Sequence, residues 1–136
     1  MLEFLKFHHI GFATDNLDEA KSLFIKMGYV PGEVVYVPSQ KVEVCFMNKA
    51  GQPQIELITG SGTNSPVESI LKKCGPGPYH LCFSVNDINN AIENLRNEKF
   101  IILNKPVKSN AIDDNNIIFA YKKSYGLIEI VEITYK

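Results

Sequence analysis

The chain has 136 residues, 45% hydrophobic and 21% charged, with fourteen basic side chains against fifteen acidic ones and a formal net charge of −1. That balance suits one globular domain with a sizeable core, and it excludes the basic stripe of a nucleic-acid binder and the acidic run of a solvating tail. Nothing approaches the about 18 consecutive apolar residues of a membrane span.

"MLEFLKFHHIGF" is interrupted by Glu3, Lys6 and two histidines, so no signal-peptide core is read there. "FHHIGFAT" then alternates like a strand. "NLDEAKSLFIKMG" follows as a helix capped by Asn16, with Glu19 as its capping-box partner, Gly28 at its end, and Leu17, Ala20, Phe24 and Met27 as its apolar face. Extended segments are predicted at about 30–37, 41–48 and 53–60. "SPVESILKKCG" reads as a short linker helix with Ser65 as cap, Pro66 first, Glu68 as box partner and Gly75 at the exit. "GPGP" opens a further strand. Asp87 caps a helix through about Glu98, with Ile88, Ala91, Ile92 and Leu95 facing the core, and extended segments follow at about 100–109, 115–121 and 126–134. Cys45, Cys74 and Cys82 show no CxxC spacing and read as reduced, mostly buried thiols of a cytoplasmic protein.

The order βαβββ therefore occurs twice, and the sequence repeats with it. "HIGFATDNLDEAKSLFIKMGYV" from His9 aligns without gaps on "HLCFSVNDINNAIENLRNEKFI" from His80, an offset of 71 residues. "PQIELIT" aligns with "GLIEIVE" at an offset of 73, bringing Glu56 onto Glu129. Two copies point to a paired module rather than a solenoid, which needs at least three. The expected organisation is one α+β domain over 1–136, with module 1 at about 5–60, the linker helix at about 65–74 and module 2 at about 77–134.

Side chains alternate across a strand. His9, Gly11 and Ala13 share one face and Ile10 and Phe12 the other. His80, Cys82 and Ser84 share one face, with Leu81, Phe83 and Val85 opposite, under the helices. Ile55 and Leu57 bracket Glu56, as Ile128 and Ile130 bracket Glu129, so each carboxylate projects from the face opposite the apolar pair. A lone histidine or glutamate would read as an ordinary polar residue. Two of each at equivalent repeat positions read as a site for Zn²⁺, Ni²⁺, Co²⁺, Mn²⁺ or Fe²⁺. His8 lies on the other parity and is given no role. Glu43, Glu132 and the lysines near Lys72 read as solvated.

The segments "HHIGFATDNLDEA", "NSPVESILKK", "YHLCFSV" and "GLIEIVE" closely resemble the epimerase branch of the vicinal oxygen chelate superfamily, which includes glyoxalase I, methylmalonyl-CoA epimerase, extradiol dioxygenases and antibiotic-resistance proteins. The resemblance covers nearly the whole chain. It implies a glyoxalase-like fold in which paired βαβββ modules form a curved, cup-like mixed sheet around one divalent metal ion (Zn, Ni, Co or Mn). It places the ligands on His9, Glu56, His80 and Glu129. It also implies a homodimer and a small carbonyl or thioester substrate, without nucleic-acid or membrane partners. By resemblance to glyoxalase I, the proton-transferring base falls on Glu129 or Glu56.

The resemblance has one departure. In the epimerases, the run equivalent to "YVPSQKVEV" carries one of two acid/base glutamates, whereas this chain has Ser39, with Glu43 the candidate to replace it. "SNAIDDNN" and "AYKKS" also stand where the epimerases carry a Gly-His-Gly-like loop and His-Pro. Glyoxalase I-type chemistry, which needs only the ligands retained here, is therefore the leading expectation. A methylmalonyl-CoA epimerase-like activity is the alternative, and a non-catalytic module like the bleomycin-sequestering relatives represents a different class.

Overall fold

The computed structural model describes residues 2–62 and 64–134. The chain is a mixed α+β protein of two βαβββ modules, and its contacts divide into two compact units. One runs from His9 to Tyr79; the other joins residues 1–8 to residues 80–136. Each dividing point falls inside the first strand of a module, one residue before its histidine.

The first module and the linker after it comprise β1 (Lys6–Ala13), α1 (Leu17–Lys26), β2 (Val30–Val37), β3 (Val42–Asn48), β4 (Ile55–Gly60) and α2 (Pro66–Cys74). The strands lie in the order β2-β3-β4-β1. β1 and β4 are parallel, while β2–β3 and β3–β4 are antiparallel. Ala20, Cys45, Met47, Ile55 and Leu57 form the core on the helix side, joined by Ile10, Phe12, Leu17, Phe24 and Tyr29.

Asn16 caps α1 through a bond accepted from the Glu19 N–H at 3.0 Å. The Glu19 carboxylate meets the Asn16 side-chain amide rather than its backbone, because Thr14 Oγ1 already accepts the Asn16 N–H at 3.1 Å. Met27, expected on the apolar face, is instead 57% exposed. It is the C-cap, the chain turns away at Gly28 with φ +93°, and Tyr29 packs its ring on Phe24 at 5.3 Å in its stead. At α2 the Ser65 side chain makes no cap bond; Pro66 sets the first turn and Gly75 ends the helix with φ +74°.

The second module comprises β5 (Gly77–Val85), α3 (Ile88–Asn97), β6 (Ile101–Ile102), β7 (Val107–Ser109), a 3₁₀ turn at Asn110–Ile112, β8 (Asn115–Lys122) and β9 (Gly126–Glu132). Its strands lie in the order β5-β9-β8-β6, with β7 also paired to β8. The equivalent of the β1–β4 pair is β5–β9, again parallel. Asp87 caps α3 by accepting from the Asn89 and Asn90 N–H groups. Ile88, Ala91, Ile92 and Leu95 are buried in a core with Val85, Ile118, Ala120, Ile128 and Ile130, against which Leu2, Leu5 and Phe83 pack. Leu81, expected under the helix, is 37% exposed.

The extended segment expected at 100–109 is two short strands. Between them Pro106 lacks a ladder donor, and the Asn104 side chain takes the place of backbone pairing: its Oδ1 accepts the Phe119 N–H at 2.7 Å and its Nδ2 donates to the Lys105 carbonyl at 2.8 Å.

Candidate active site

Each module buries one His–Glu pair. In the first, His9 stands on β1 and Glu56 on the neighbouring parallel strand β4, where Glu56 is level with Gly11. His9 Nε2 lies 3.2 Å from Glu56 Oε1. In the second, His80 stands on β5 and Glu129 on β9, level with Cys82. His80 Nε2 lies 3.1 Å from Glu129 Oε1. Relative exposures of 0%, 5%, 4% and 2% for His9, Glu56, His80 and Glu129 put all four among the few buried polar side chains.

Burial of carboxylates is costly unless they are paired or coordinate an ion. Donor atoms on one divalent ion, each bound at about 2.0–2.2 Å, stand about 3.0–3.5 Å apart, and the 3.1 and 3.2 Å separations fall in that range. One imidazole nitrogen with one carboxylate oxygen in each pair also suits Zn²⁺, Ni²⁺, Co²⁺ or Mn²⁺. The residues thus fit a divalent metal.

Two aromatic residues absent from the sequence reading flank these pairs. Phe46 on β3 is directly across from Glu56, and its ring stands 5.2 Å from the His9 ring at 85°. Phe119 on β8 is directly across from Glu129, and its ring stands 5.5 Å from the His80 ring at 88°. The 73-residue offset that relates Glu56 to Glu129 relates Phe46 to Phe119 as well, so the repeat itself held the signal.

Ser39 lies in the exposed β2–β3 turn, Pro38–Lys41, which Gln40 and Lys41 close through N–H bonds to the Val37 and Pro38 carbonyls. Glu43 cannot replace the missing base. The β3–β4 register is unbroken from Val42 to Met47, so Glu43 shares the parity of Cys45 and Met47, which face the helix-side core, and opposes that of Phe46. Glu132 is no solvated residue either. Its carboxylate accepts the Ile88 N–H at 2.9 Å and a longer bond from Asn116 Nδ2 at 3.5 Å. His8 is half-buried on the parity opposite His9.

The chain belongs to the glyoxalase/bleomycin resistance protein/dioxygenase superfamily, whose sequence pattern matches residues 8–121. It is 31% identical over 129 residues to the mitochondrial methylmalonyl-CoA epimerase of Bos taurus, a match covering 92% of this chain and 73% of that protein. The methylmalonyl-CoA epimerase of Mycobacterium tuberculosis has a similar fold, with a TM-score of 0.84 at 24% identity over 96% of this chain and 89% of that one. So does a Streptomyces coelicolor methylmalonyl-CoA epimerase variant solved with 2-nitronate-propionyl-CoA, with a TM-score of 0.83 at 19% identity, covering 97% and 99% of the two chains. The fold is therefore glyoxalase-like, and the Bos taurus relative is an epimerase. Among the described residues no helix is long and apolar enough to cross a membrane.

Proposed function

We propose that this protein is a divalent-metal-dependent isomerase of the methylmalonyl-CoA epimerase type, which moves the α-proton of an acyl-CoA thioester. In this reading His9, Glu56, His80 and Glu129 hold a single ion together, and Glu129 and Glu56 carry the proton. The observation that supports it most is the repetition of a buried His–Glu pair, at 3.2 and 3.1 Å, in a chain 31% identical to an epimerase.

When bound, the ion would polarise the thioester carbonyl and offset the negative charge that develops as the proton leaves, an effect worth several kcal/mol. The protein's own groups do the rest. Inverting a stereocentre requires a proton to leave one face and return to the other, so two positioned groups are needed. With Ser39 in the exposed turn and Glu43 on the helix side, this reading assigns the two roles to Glu56 and Glu129, one from each module. The burial of both pairs keeps bulk water from competing for the proton.

The relatives favour the epimerase over glyoxalase I-type conversion of a hemithioacetal, which the count of retained ligands by itself puts first. A homodimer belongs to the same proposal by family likeness, as does a reducing cytoplasmic setting, for which the free thiols of Cys45, Cys74 and Cys82 speak.

The test is proton exchange in D₂O followed by NMR, with the metal-reconstituted protein offered methylmalonyl-CoA or the methylglyoxal–glutathione hemithioacetal. Metal-dependent exchange at the acyl-CoA α-carbon, slowed about 10²–10⁴-fold in Glu129→Gln and in Glu56→Gln, is the expected result. Conversion of the hemithioacetal alone would replace the epimerase with the glyoxalase. Inertness toward both, with no metal retained, would leave a ligand-binding module.

A further inference from the structure

Comparison of β3 with β8 at the 73-residue offset shows how selective the repeat is. Across the seven positions of β3, Val42 meets Asn115, Glu43 meets Asn116, Val44 meets Ile117, Cys45 meets Ile118, Met47 meets Ala120 and Asn48 meets Tyr121. Only Phe46 and Phe119 are the same residue. Each is the cross-strand neighbour of its module's glutamate, and each sets its ring nearly perpendicular to its module's histidine. Both phenylalanines are half-buried, unlike the fully buried Cys45, Met47, Ile118 and Ala120 beside them, so general core filling does not account for the identity.

We propose that Phe46 and Phe119 are positioning residues that fix the orientation of the His9 and His80 rings and thereby set the donor geometry of each His–Glu pair. The physical reason lies in the imidazole torsion. The χ2 of histidine is broad and roughly two-fold, so a strand alone does not decide which ring nitrogen faces the carboxylate. An aromatic quadrupole favours an edge-to-face neighbour over other tilts. A phenyl ring held at 85–88° therefore narrows that torsion, leaving Nε2 on the Glu56 or Glu129 side. The contact holds within each module whether or not an ion is bound; only its consequence for metal affinity rests on the proposed function.

The experiment uses the full chain with Phe46→Leu, Phe119→Leu and the ring-retaining Phe46→Tyr and Phe119→Tyr, with folding checked by circular dichroism. Histidine ring signals are read in metal-free protein by ¹³C-resolved NMR, and Co²⁺ affinity and visible absorption are then measured. Beyond the small shifts that loss of a ring current brings, Phe46→Leu is expected to change the tautomer-reporting shifts and χ2-dependent couplings of His9 and leave those of His80 in place, and Phe119→Leu to do the reverse. Each leucine variant should lose Co²⁺ affinity about two- to tenfold with an altered cobalt band, and each tyrosine variant should keep both. Unchanged tautomer-reporting shifts and couplings, with unchanged cobalt binding, in the leucine variants would overturn the proposal. Failure of the wild type to take up Co²⁺ would remove the metal reading, yet the metal-free histidine signals would still decide the inference. Should the leucine variants not fold, ring-to-ring nuclear Overhauser effects between Phe119 and His80 in the wild type take their place, and their absence counts against it.

Discussion

The Glu132 carboxylate, at the end of β9, accepts the backbone N–H of Ile88 at the first turn of α3, 44 residues earlier in the chain, at 2.9 Å. Asp87 satisfies the next two N–H groups of that turn, so two carboxylates share the helix start. A negative group there also complements the helix dipole. Glu132→Ala should lower stability by about 1–2 kcal/mol, and Glu132→Gln by less, as read from urea unfolding.

Removal of the Asn104 side chain leaves the Phe119 N–H without the acceptor it has at 2.7 Å. Asn104→Ala should therefore cost about 1–3 kcal/mol. Hydrogen exchange will locate the damage: the Phe119 amide should exchange much faster, while amides of β3 keep their protection.

Gly60 closes β4 beneath the Glu68 side chain of α2. A methyl group at this position would clash with the Glu68 carboxyl group and press on its Cγ at 3.2 Å. Gly60→Ala should cost about 1 kcal/mol. Because Glu68 is the obstacle, Glu68→Ala should recover most of that loss, and a double-mutant cycle measures the coupling.

Burial raises the Cys45 thiol above its ordinary value of 9.0, against smaller opposing effects from the Lys21 charge and the Gly32 backbone. The folded thiol therefore keeps its proton to a higher pH than the unfolded one. Its contribution is fully present below pH 9.0 and is lost as pH rises past that value. The stability gap between wild type and Cys45→Ala should narrow from pH 8 to pH 10.5 in urea melts. In the native state at pH 8, iodoacetamide should modify exposed Cys74 and spare buried Cys45 and Cys82.

Features decided by near neighbours were legible in the sequence. The caps at Asn16 and Asp87 depend on residues two or three positions away, and the buried face of α3 on helical spacing alone. The His–Glu pairs were legible because the repeat and strand parity act together. What escaped depends on partners distant along the chain. Asn104 splits the 100–109 segment by reaching residues 13 and 15 positions away, and Glu132 caps a helix 44 positions back. Met27 left the apolar face because Gly28 turned the chain, which periodicity does not register. The face of Glu43 could be read only once the β3–β4 register was fixed.

The chain's two ends of contact impose an order of events. Leu2, Leu5 and Phe7 lie in the first eight residues, yet they pack with the later unit: Leu2 and Leu5 against the α3 core, and Phe7 edge-on to Phe83 at 5.8 Å. During synthesis the whole 9–79 segment emerges before any of these partners exists. At about 5–20 residues per second, that segment can collapse over several seconds while the three apolar side chains wait exposed. Leu2, Leu5 and Phe7 are thus among the last side chains of the chain's first half to find their packing partners, which lie at residue 83 and beyond.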